Sequence, residues 1–122
     1  MKYILCFGNP YIKEDSLITS ISTKLKIPGY EIKKCSSPEE ILSYLDKEFI
    51  ILDVAKGIDE LSIITDADQL NSTKLVTLHD FDLNFFLKLH KKIGNKIKIL
   101  AVPCDYDADK LIMNIKKLIR SI

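Results

Sequence analysis

Asp15, Asp53 and His79 are the three side chains in this sequence that could act together chemically. Each lies beside a short apolar run. Asp15 closes the segment Gly8-Asn9-Pro10-Tyr11-Ile12-Lys13-Glu14-Asp15, which follows a run from Tyr3 to Phe7. Asp53 ends Ile50-Ile51-Leu52-Asp53, and His79 sits in Val76-Thr77-Leu78-His79-Asp80. Two carboxylates and an imidazole form a set that suits a divalent ion or hydrolytic chemistry. The set has meaning only if the fold gathers it. In an open α/β sheet the carboxyl ends of the strands share one edge, and side chains there converge on one crevice.

The elements needed for such a sheet are legible. Tyr3 to Phe7 reads as a first buried strand. A helix starting at Asp15 or Ser16 follows, with Leu17, Ile18, Ile21 and Leu25 at helical spacing and Ile27-Pro28-Gly29 as its end. Tyr30 to Lys34 is a second strand. Ser37-Pro38-Glu39-Glu40 reads as a helix start, with Ser37 as cap, Pro38 in the first position and Glu40 closing a capping box. Phe49 to Val54 is a third strand, apolar except for Asp53, and is expected to be central and covered on both faces. Leu61 to Thr65 and Lys74 to Leu78 read as two strands close enough in sequence to pair antiparallel across the polar segment Asp66 to Thr73. A third helix is expected over Asp82 to Ile93, with Gly94 as its stop. Lys98 to Val102 is a last strand, and a fourth helix runs from about Asp107 to Ile119. The alternation predicts a three-layer α/β/α sandwich with a mostly parallel sheet and an antiparallel strand in the middle segment.

Composition narrows the choices. With 122 residues the chain has room for one core, so residues 1–122 are read as a single domain. The formal net charge is +1, and the lysines are spread out, which argues against a nucleic-acid binder. No run of about 18 apolar residues occurs, so no membrane-spanning helix is expected. The start, Met1-Lys2-Tyr3-Ile4-Leu5-Cys6-Phe7-Gly8, lacks a small-residue cleavage site and reads as a strand, not a signal peptide. The three cysteines, Cys6, Cys35 and Cys104, show no Cys-x-x-Cys spacing, which argues against a structural zinc site or a disulfide framework. A reducing, cytoplasmic setting and a monomer are expected.

Each candidate also has a plain structural reading. Gly8-Asn9-Pro10 suits a turn, and without a following Gly-Lys-Ser/Thr it is no phosphate loop. Glu14 and Asp15 suit a helix start through capping and the helix dipole. His90 falls on the charged side of the expected third helix. Asp53 is harder to explain away, because a carboxylate in an apolar strand is costly without a partner or solvent.

Taken together, the order of these motifs resembles the hydrogenase maturation endopeptidases, which process the large subunits of nickel-iron hydrogenases. The matching segments are Phe7-Gly8-Asn9-Pro10-Tyr11-Ile12-Lys13-Glu14-Asp15, Ile51-Leu52-Asp53-Val54-Ala55 and Leu78-His79-Asp80-Phe81-Asp82-Leu83. The resemblance runs from about Lys2 to Leu118. Ser16 stands where the family usually has glycine, and the stretch between Asp53 and His79 is short and lacks the usual Pro-Gly. The resemblance implies that Asp15, Asp53 and His79 are the metal-contacting and catalytic residues, with Asn9 in a supporting loop. It implies a nickel ion carried by the substrate and no permanently bound cofactor. The partner would be a hydrogenase large-subunit precursor that loses a C-terminal extension. Two other readings stay open: a non-catalytic module of the same fold that docks such a precursor, and a receiver-type phosphoacceptor domain. The second leaves the histidine unexplained.

Overall fold

The computed structural model describes residues 2–7, 16–35, 38–56, 59–64, 77–78, 98–103 and 106–121. They build an α/β fold around a six-stranded, mostly parallel sheet. The strands are β1 (Lys2–Phe7), β2 (Tyr30–Cys35), β3 (Phe49–Lys56), β4 (Ser62–Ile64), β5 (Thr77–Leu78) and β6 (Ile99–Pro103). The helices are α1 (Ser16–Lys24) and α2 (Ala108–Ser121), and Pro38–Tyr44 forms a 3-10 segment.

The order β2-β1-β3-β6-β4 places β1 and β3 side by side, with β3 central as its apolar sequence predicts. β2 lies to one side of β1 and β3 to the other. The chain therefore reverses direction across the sheet between β1 and β3, and such a reversal opens a crevice at the carboxyl ends of the two strands. The connections agree with this. Right-handed crossovers running in opposite directions lie on opposite faces. α1, which links β1 to β2, packs against the face bearing Ile4, Cys6, Ile50 and Leu52. The 3-10 segment, which links β2 to β3, sets Tyr44 against Tyr3 of the other face, with ring centroids 5.2 Å apart.

Side chains alternate along a strand, and in-register partners share a face. One face carries Ile4 and Cys6 from β1, Ile50, Leu52 and Val54 from β3, and Leu100 and Val102 from β6. Ile21 and Leu25 close it from the α1 side, and Leu111, Ile115 and Ile119 from α2. The second face carries Leu5, Phe7, Ile51, Asp53, Ile99 and Ala101, all fully buried. β3 is thus covered on both faces, which is why its sequence is apolar on both parities.

Several elements differ from expectation. The segment after Pro38 is a 3-10 helix of seven residues instead of an α-helix. Pro38 begins it as expected, while Ser37 lies outside the described residues. β3 continues to Lys56, two residues beyond the expected end, so Asp53 lies inside the strand and not at its tip. β4 and β5 are antiparallel, though not to each other. β4 pairs with β6 through Ile63 and Leu100, and β5 pairs with β3 through Ala55–Leu78 and Lys56–Thr77. The expected third helix, Asp82 to Ile93, lies outside the described residues. Gly29 has a φ of 85°, a left-handed conformation that accommodates glycine and gives the turn into β2. Among the described residues no helix is long and apolar enough to cross a membrane.

Candidate functional site

Asp53 is the one expected site residue inside the described region, and it is fully buried. Its row across the sheet is defined by pairing: Asp53 opposes Ala101 of β6, and Ala101 opposes Ser62 of β4. On the other side, β1 pairs with β3 only up to Cys6 opposite Leu52. Phe7, the next residue of β1, extends the same face toward Asp53.

The end of that ladder explains one contact of the carboxylate. The Ile51 N–H donates to the Lys98 carbonyl, so odd-numbered β3 amides point toward β6. Alternation then aims the Val54 N–H toward the β1 side, beyond the last β1–β3 pair. Asp53 Oδ1 accepts from this N–H at 2.9 Å. Asp53 therefore serves the backbone at the point where β1 stops. A buried amide without an acceptor costs about 1–3 kcal/mol, so this bond gives Asp53 a structural role whatever else it does.

β5 completes the geometry. β6 occupies one edge of β3 at Ala55, where it pairs with Pro103. Leu78 also pairs with Ala55, so β5 must lie along the opposite edge, the one β1 occupies lower down. Three places in the sequence thus meet at the carboxyl half of β3. They are the end of β1, which leads into Gly8; Asp53 itself; and Leu78, which directly precedes His79. Asp15 and His79 lie outside the described residues, as do Gly8, Asn9, Glu14, His90 and Cys104. Among the described residues no three His, Cys, Asp or Glu side chains gather in a metal-binding group.

The described cysteines are poor candidates for chemistry. Cys6 and Cys35 are both buried free thiols. Burial, with a smaller contribution from neighbouring Cys35, pushes the Cys6 thiol up to about 12. Burial, with Glu40 adding to it, pushes Cys35 to about 11. Nucleophilic and metal-binding cysteines are thiolates, and neither group ionises near neutral pH. Cys6 behaves as the core residue its strand position predicts.

Two features had no clear counterpart in the sequence pattern: the Asp53–Val54 bond and the seat of β5. The apolar continuation Val54-Ala55 is the available sign that β3 runs past Asp53. No protein-family model, curated protein or solved structure matches this chain.

Proposed function

We propose that this protein is an endopeptidase that removes a C-terminal extension from a nickel-loaded hydrogenase large-subunit precursor. The observation that supports this reading is Asp53, a fully buried carboxylate on the central strand, flanked at backbone level by the end of β1 and by β5. The chain segments bearing the other two proposed ligands leave from those flanking strands. On this reading Asp15, Asp53 and His79 engage the nickel that the substrate already carries. The metal then marks a finished precursor. Oxygen and imidazole ligands suit a borderline divalent ion of this kind. A water polarised by the ion or by a carboxylate attacks the scissile carbonyl, and a proton is returned to the leaving amine. The protein itself needs no resident cofactor. A cytoplasmic monomer fits such a role.

The reading carries a structural requirement. Asp53 has no solvent-accessible surface, so its carboxylate must become reachable when the substrate binds. The decisive experiment incubates the protein with nickel-loaded and nickel-free precursor and follows the mass of the large subunit. Trimming of the loaded form alone supports the proposal, and equal trimming of both sinks the metal-reading mechanism.

One observation favours a second reading. Because Asp53 already serves the Val54 N–H, its presence does not by itself require a metal. A non-catalytic module of the same fold that docks the precursor accommodates this. Stable binding of precursor without cleavage of either form selects it.

A further inference from the structure

No further inference is drawn: the strongest candidate, the open cavity of about 430 Å³ between the residues leading into β4 and the second half of α2, is lined by Glu60, Leu61, Tyr106, Asn114 and Lys117, and nothing in the structure shows what fills it.

Discussion

At the residue scale, Asp53 combines a backbone role with a proposed chemical one, and two substitutions separate them. Asp53→Asn keeps a side-chain oxygen for the Val54 N–H and removes the charge. Asp53→Ala removes both and leaves a buried donor without its acceptor, at a cost of about 1–3 kcal/mol. We expect Asp53→Asn to melt close to the parent protein and to lose precursor processing, and Asp53→Ala to lose both stability and processing. Urea denaturation paired with the processing assay checks this; an active Asp53→Asn protein would remove Asp53 from the chemistry. The buried thiol of Cys6 gives a pH prediction. Its folded value is about 12, against an ordinary value of 9.0. The folded state therefore holds the proton more tightly. That contribution to stability is complete below about pH 9 and is lost as pH rises from there to about 12. Cys6→Ala lacks it, so the stability gap between parent and variant should narrow over this range. A gap that stays constant would show that Cys6 does not titrate as the fold requires.

At the scale of elements, α2 shows how a short pattern sets a boundary. Asp107 precedes the helix, and its Oδ2 accepts from the Lys110 N–H at 3.1 Å. This is an N-cap bond, and it meets one of the amide donors that a helix start leaves without an intrahelical partner. Downstream, Leu111, Ile115 and Ile119 recur at four-residue spacing and are buried, while Met113 between them is exposed. The spacing places one stripe on the sheet. Asp107→Ala should cost about 1 kcal/mol, and Asp107→Asn should recover most of it, since asparagine caps nearly as well. Thermal melts of the two variants test the cap; equal losses would assign the effect to charge instead. The 3-10 segment shows the opposite case. Its sequence opens like an α-helix, but among its described side chains only Ile41 is fully buried and Leu42 is exposed. Seven residues with so narrow an apolar stripe gain little from packing, and packing supplies most helical stability in proteins.

At the scale of the molecule, one apolar cluster ties α1, the strands β1, β3 and β6, and α2 together. Ile115 lies fully buried within it. Ile115→Ala should cost about 2–5 kcal/mol, the range for a large aliphatic side chain truncated in a core. Because the cluster is shared, fluorescence of the tyrosines and far-ultraviolet circular dichroism should report the same shifted transition. Two separate transitions would show that α2 unfolds independently of the sheet. The proposed activity also belongs to this scale, since its ligands come from distant parts of the chain. Asp15→Asn and His79→Ala should each abolish trimming of nickel-loaded precursor while leaving the melting transition nearly unchanged. A variant that unfolds instead would point to a role in holding the loop or helix start.

Much of the fold is written locally. Apolar runs at β1, β3 and β6, helical spacing in α1 and α2, Gly29 after α1 and Asp107 before α2 each act through neighbours within a few residues. Period and capping are short-range properties, so the sequence alone determines these elements and their α/β class. Motif order supplies the candidate trio, and Asp53 stands out because a charge in an apolar strand requires an explanation. Pairing is a different matter. Whether β4 joins β5 or β6 depends on which edge each can reach, and the separation of two strands in sequence does not encode that. Only the tertiary structure decided that β4 runs antiparallel along β6 and β5 along β3. The role of Asp53 toward Val54 likewise follows from where β1 stops beside β3. That end point comes from strands far apart in the chain, so no local pattern around Asp53 could have disclosed it.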